Sequence, residues 1–381
     1  MKFIIPNSIN EARNLPQWTQ WLGAYRKEIK LYRREFVFEP VHISEVDKPV
    51  LDAHWKFDVT TNENGRHARF EAKLYIKGNG QLKGVHYDET YSPTVSYETL
   101  KLVLASVAAT GGQRVYQFRI NNCYLQGSVD RYIYVNPPPG IEIKDNHVWS
   151  LDYCMPGMKQ ASRQWYLRIK GLLEDNGFSE SSYDPGLFCK DDCYVMLYSD
   201  IVIVAGMNVE HVEGFLKKQF SMEYLTYEYH NEVLPDVVDY HIGEERSSKI
   251  LGMNMNFNDR GITLTMKDAI TRAVQEHNIS IDPNSPCTPL PLCFEINNSG
   301  SSLLDRNGIK EFKSILGKLI FIQSKLRDDI AQPVKYLRKA SPKPTVSDLR
   351  SAKQVLYYLG YTSDSGVSFD YLPMDDEDND Y

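Results

Sequence analysis

The run VMLYSDIVIVAG, residues 195–206, is apolar on both sides of one polar pair, Ser199-Asp200. Tight hairpin turns put central residues at positive φ and so favour Asn-Gly, Asp-Gly or Gly-X, which makes Ser-Asp a poor turn. The flanks Tyr194–Tyr198 and Ile201–Val204 read as strands buried on both faces. A carboxylate between two such strands is either part of the turn or is held at a hairpin tip to do chemistry. That chemistry would be metal binding, in which Mg2+ ions about 3.5–4 Å apart are gripped by several carboxylates converging from different strands. Asp200 alone is too little, so the question is what the rest of the chain brings to it.

Other metal chemistry is poorly supported. Cys189 and Cys193 sit four apart, but no second close Cys/His pair completes a zinc site. The six cysteines, Cys123, Cys154, Cys189, Cys193, Cys287 and Cys293, are too sparse for a disulfide scaffold. Free buried thiols in a reducing intracellular compartment, cytoplasm or nucleus, are expected.

The 381 residues are 42% hydrophobic, enough for a sizeable core and two or three subdomains. No apolar run reaches membrane-spanning length, and MKFIIPNSINEARN lacks the apolar core of a signal peptide. The net charge of −7 argues at first against nucleic-acid binding, but five of the acidic residues crowd the final DDEDNDY. Without them the body is near −2, and Asp305–Lys343 holds ten Lys/Arg against four Asp/Glu. That segment suits a phosphate-facing surface, and equally an ordinary charged helix face.

Stepping along the chain, Trp18, Trp21, Leu22, Tyr25 and Ile29 form one helical stripe after Pro16. HWKFDVTTNENGRHARFEAKLYIKG reads as a hairpin turning at Asn62–Gly65, and SYETLKLVLASVAAT as a helix stopped by Gly111-Gly112. RVYQFRI and DRYIYVNPPPG are strand-like, and ASRQWYLRIKGLLEDNG is a helix closed by Gly177. LFCKDDCYVMLYSDIVIVAG is strand–turn–strand, VEHVEGFLKKQF a helix, and SKILGMNMNFNDRGITLTM a hairpin turning at Asp259-Arg260-Gly261. A helix over Lys267–His277 leads into a Pro/Ser/Asn-rich linker, then two helices, GIKEFKSILGKLIFIQSKL and VSDLRSAKQVLYYLGYT. Strands in hairpins among irregularly spaced helices predict an α+β fold, not a doubly wound parallel sheet.

In this order the segments are similar to a known family. SPTVSYETLKLVLA, QFRINNCYLQG, PGMKQASRQWY, YSDIVIVAG, ILGMNMNF and KPTVSDLRSAKQVLYYL together resemble the reverse transcriptase region of copia-type LTR retrotransposons, from near Glu11 to near Tyr371. The resemblance implies a right-hand polymerase fold with an antiparallel palm sheet and a helical C-terminal region. It implies a helical extension over 1–50, fingers and palm over 51–275, a linker over 276–302, a helical thumb or connection over 303–372, and an acidic tail over 373–381.

It also assigns site residues one by one. The family's Tyr-Val-Asp-Asp hairpin falls on Tyr198-Ser199-Asp200-Ile201, so Asp200 is the retained metal ligand and Ile201 stands where the second aspartate belongs. The preceding metal-binding aspartate falls on Arg119. Tyr124 matches the aromatic gate under the incoming sugar, Gln160 the glutamine beside the nucleotide, and Lys73 the basic residue at the triphosphate, with Glu71 replacing its basic neighbour. Gly157 matches the family glycine, and Pro156 replaces the tyrosine before it.

These departures decide the expected activity. An intact site brings about three negative charges toward two Mg2+ ions, whereas Asp200 with Arg119 sums to about zero. A like-charge contact with Mg2+ in a partly dry site costs several kcal/mol. Asp191 and Asp192 precede the hairpin strand and are not expected to substitute. The expectation is loss of RNA-directed DNA polymerisation, no resident cofactor where intact members hold Mg2+, and an Arg119–Asp200 ion pair that keeps the hairpin folded without metal. A template–primer duplex contacted by Lys310, Lys313, Lys318, Lys325 and Arg327 is the expected partner, with an active polymerase of rearranged site, or a protein-interaction scaffold, as alternatives. The chain begins at the polymerase and ends on DDEDNDY where RNase H would follow, which suggests an element relic or a host-adopted piece.

Overall fold

A computed structural model describes residues 3–61, 68–109, 114–141, 143–225, 246–258, 260–282, 284, 288–290 and 300–370. The turn at Asn62–Gly65, the Gly111-Gly112 stop, Asp259, Cys287, Cys293, most of the 276–302 linker and the acidic tail lie outside the described residues.

The helices, numbered along the chain, are α1 (Ile9–Arg13), α2 (Trp18–Arg34), α3 (Tyr97–Ala109), α4 (Ala161–Asp175), α5 (Val209–Gln219), α6 (Lys267–Glu276), α7 (Arg306–Lys325), α8 (Ala331–Ala340) and α9 (Val346–Tyr361). Three sheets accompany them. The first joins β1 (Phe38–His42), β2 (Leu51–Thr61), β3 (Ala68–Ile76), β5 (Tyr134–Asn136) and β6 (His147–Leu151) in the order β1-β6-β5-β2-β3. The second runs β11-β4-β10-β9-β8-β7, from β4 (Arg114–Ile120), β7 (Ser179–Glu180), β8 (Leu187–Lys190), β9 (Cys193–Tyr198), β10 (Ile201–Gly206) and β11 (Met222–Tyr224). The third runs β12-β13-β14-β15, from β12 (Arg246–Ile250), β13 (Met253–Asn258), β14 (Gly261–Thr265) and β15 (Gly366–Asp370). Only the β2–β5 pairing among these is parallel, so the α+β expectation holds.

The second sheet is buried on both faces, which is why residues 195–206 are almost uninterruptedly apolar. Phe118, Val195, Leu197, Val202 and Val204 face α4 and α5. Their alternating neighbours Val115, Met196, Ile203 and Ala205 face α3, the third sheet and the C-terminal helices. A separate cluster packs α2 on the first sheet, with Trp21 edge-on to Phe57 and Phe70.

Several boundaries differ from the sequence reading. The segment 187–206 makes three strands, because the chain turns at Asp191-Asp192 with Asp191 at φ 49°. The segment 246–265 also makes three, since Leu251 and Gly252 adopt φ 47° and 85° and form a turn inside what reads as one strand. Helix α8 was hidden by Pro333, which sits in its first turn where a missing N–H costs nothing. Residues 38–42 pair with 147–151, so the N-terminal 50 residues contribute a strand and not helices alone. Strand β15 pairs with β14 and shares a core with it, so the C-terminal helical region closes a sheet begun before residue 276.

Candidate active site

The hairpin of β9 and β10 is in register from Tyr198↔Ile201 to Cys193↔Gly206, which leaves Ser199 and Asp200 as a two-residue turn. The turn and the tip are therefore the same feature. Ser199 adopts φ 58°, a left-handed backbone that costs a non-glycine residue about 1 kcal/mol or more. Two contacts hold it there. Trp165 of α4 donates its indole N–H to the Ser199 carbonyl at 2.8 Å, and Ile120 of β4 donates its backbone N–H to the Asp200 carbonyl at 2.8 Å. Beneath it, burial, with a contribution from the Asp200 charge, pushes the Cys123 thiol up to about 12. Cys123, Cys154, Cys189 and Cys193 are all free thiols.

Arg119 is the direct cross-strand partner of Ile201, and on its other side it is the partner of Glu223 in β11. Its Nε lies 3.5 Å from Asp200 Oδ2 and its Nη1 4.0 Å from Glu223 Oε2. The three side chains are 45%, 40% and 57% exposed, so the pairing itself contributes at most about 1 kcal/mol. Its importance lies in what the guanidinium occupies. Glu223 escaped the sequence reading, because β11 follows α5 and returns to β4 from about a hundred residues away, with no local cue. With it the local formal charge is −1, not zero.

These residues do not fit a pair of divalent cations. Asp200 and Glu223 are separated by a cation, Ile201 offers no donor, and the described residues contain no group of three or more His, Cys, Asp or Glu side chains placed to hold a metal. Asp191 and Asp192 sit at the opposite end of the hairpin, about 20 Å away at about 3.4 Å per residue.

The remaining candidates divide. Tyr124 lies just beyond β4 on a 3-10 turn and packs, half-buried, between two of the core clusters. Lys73 stays half-exposed on β3, with its ammonium 3.8 Å from Glu71, which also binds Arg69 at 3.0 Å. Gln160 is fully buried. It accepts from Gln81 Nε2 and donates to the His86 carbonyl, both at 2.9 Å, so its amide is consumed inside the protein and does not face a nucleotide. Gly157, at φ 92°, lies so near β3 that a Cβ there would sit 2.3 Å from the Ile76 carbonyl oxygen.

The basic segment divides as well. Lys310 and Lys313 are exposed on α7, and Lys318 binds Glu276 of α6. With Arg272, Gly317 and the 44%-exposed Phe321 they border a groove of about 520 Å3 between α6 and α7. Lys325 and Arg327, by contrast, are only 7% and 3% exposed. Lys325 donates to the Leu251 carbonyl between the rings of Tyr97 and Phe321. Arg327 is spent on Asp329 and Thr362. Neither points outward, which corrects their assignment to a phosphate-facing surface. Among the described residues no helix is long and apolar enough to cross a membrane.

Comparison with known proteins agrees with the sequence resemblance. Residues 36–234 match the family model described as reverse transcriptase (RNA-dependent DNA polymerase). The chain is 28% identical over 359 residues to the retrovirus-related Pol polyprotein from transposon RE1 of Arabidopsis thaliana, covering 91% of this chain and 23% of that one. It is 24% identical over 380 residues to the corresponding polyprotein from transposon TNT 1-94 of Nicotiana tabacum, covering 96% and 27%. It thus spans about a quarter of the length of these relatives. A foamy viral protease-reverse transcriptase solved with an RNA/DNA hybrid aligns at TM-score 0.42 and 10% identity over 92% of this chain and 37% of that one, too distant to carry an argument. The match over more than half the chain, the antiparallel sheet with Asp200 at its hairpin tip and the copia-type relatives together establish that this α+β chain belongs to the reverse transcriptase family of retrotransposons.

Proposed function

We propose that this chain is a retrotransposon-derived reverse-transcriptase-like protein that does not polymerise DNA. The observation that carries the reading is Arg119 beside Asp200, with Ile201 as its cross-strand partner. Nucleotidyl transfer rests almost wholly on positioning and on charge stabilisation of the phosphates. A permanently cationic side chain at the centre of the acidic row repels the ions that supply this, and Ile201 leaves no ligand in exchange. Gln160, locked onto Gln81 and His86, gives no contact to a nucleotide either. In this reading residues 51–275 are fingers and palm, and 303–372 a thumb or connection. Primer extension on an RNA template with Mg2+ or Mn2+ tests it: no dNTP incorporation is expected. Incorporation that Asp200→Ala abolishes would overturn it in favour of an active polymerase with a rearranged site.

Retained affinity for nucleic acid is supported by a separate observation. The α6–α7 groove combines the cations Lys313 and Arg272 with small residues and an exposed aromatic ring at Phe321, a surface suited to a sugar-phosphate backbone. Binding that falls steeply with salt is expected, and salt-independent or absent binding would favour a protein-interaction scaffold.

A further inference from the structure

Three adjacent strands place Ile201, Arg119 and Glu223 in one register row, with Asp200 at the turn beside it. Direct partners on neighbouring strands are about 4.8 Å apart and share a face. The Arg119 guanidinium therefore reaches Asp200 on one side and Glu223 on the other. Two carboxylates bridged by one buried-edge cation is the arrangement a carboxylate-held divalent ion would otherwise make.

We propose that Arg119 stands in electrostatically for a bound divalent cation, keeping Asp200 and Glu223 facing one another, and that these two carboxylates form a latent metal site that opens when the guanidinium is replaced by a carboxylate. The proposal rests on the reading that Arg119 excludes metal, and it adds Glu223 as a ligand. Its physical content is a charge exchange. The row carries −1 with Arg119 present, and Arg119→Asp would take it to −3 without moving the backbone of β4, β10 or β11. A hard dication is bound by such oxygen donors, and the half-exposure of all three positions leaves it an open path. Ile201 contributes nothing to either state, so a single substitution suffices.

The test is Mn2+ titration of the full chain by electron paramagnetic resonance, without nucleotide or nucleic acid. Because the acidic run Asp375–Asp380 can take up Mn2+ by itself, the quantity read is the additional site relative to wild type. Arg119→Asp is expected to gain one site, at least about tenfold tighter than anything wild type holds near Asp200. That site should disappear in Arg119→Asp/Asp200→Asn and weaken in Arg119→Asp/Glu223→Gln. Mn2+ should also raise the Tm of Arg119→Asp more than that of wild type. Should Arg119→Asp fail to fold, Arg119→Gln, which repels less, decides the matter through the same gain at lower affinity. No added site in a folded variant, an added site indifferent to Asp200 and Glu223, or a wild-type site already lost on Asp200→Asn would each overturn the proposal. Primer extension by wild type would instead remove the proposed function, while absent extension with no metal gain would leave that function and remove only this inference.

Discussion

The hydroxyls of Tyr97 and Tyr198 lie 3.1 Å apart, joining the first residue of α3 to the last residue before the hairpin tip. Burial and the shared hydrogen bond push the Tyr97 phenol well above its ordinary range, so the bond persists at any working pH. Tyr97→Phe should destabilise the protein by about 1 kcal/mol in urea unfolding. Tyr198→Phe should cost about the same, and the double variant less than the sum, because each substitution removes the same bond.

Gln160 gives a prediction that separates a packing role from a nucleotide-binding one. Gln160→Ala strands the Gln81 amide and the His86 carbonyl in the interior, at a cost of about 1–3 kcal/mol for each group left unpaired. The urea midpoint should fall with the slope unchanged. Retention of full stability would place the Gln160 amide outside the protein's own network.

Arg327 holds a more costly arrangement. Its guanidinium bonds both Asp329 oxygens, at 2.9 and 2.7 Å, and the Thr362 carbonyl and hydroxyl. Arg327→Ala should cost about 3 kcal/mol or more. Burial works to raise the Asp329 carboxyl, but hydrogen bonds from Arg327 and Tyr358 outweigh it and hold the group below its usual range. A lowered carboxyl contributes stability that is complete above about pH 4 and is lost as the pH falls through its folded value. Acid titration of unfolding should therefore show a steeper loss below about pH 4 in wild type than in Arg327→Ala.

On the α7 surface, Lys313→Ala should weaken binding to an RNA–DNA hybrid and reduce the salt slope by about 1, measured by fluorescence anisotropy across a salt series. Phe321→Ala should weaken binding and leave that slope intact, since it removes contact area and no charge. Equal slopes for wild type and Lys313→Ala would move the interface elsewhere.

What could be read in advance followed periodicity and motif order. The Ser199-Asp200 tip and the strands around it carry local signals, and the family pattern put Arg119 opposite Ile201 before any register was known. Glu223 was invisible because strand pairing across about a hundred residues leaves no trace near residue 223. Gln160 looked like a site residue because its motif fixes its place in the chain but not the direction of its amide, which Gln81, nearly eighty residues earlier, decides. Lys325 and Arg327 looked like surface cations because charge alone cannot reveal a carbonyl, two rings or a carboxylate waiting inside.

Strand β15 has a bearing on how the molecule is made. Residues 366–370 complete a sheet whose neighbouring strand, 261–265, is synthesised about a hundred residues earlier. At roughly 5–20 residues per second, the ribosome leaves β14 without that partner for roughly 5–20 seconds. Through that interval its N–H and C=O groups form an open edge, able to template pairing with another nascent chain. The C-terminal layer is thus finished last, and premature termination anywhere before residue 366 yields a chain with an uncapped, aggregation-prone sheet.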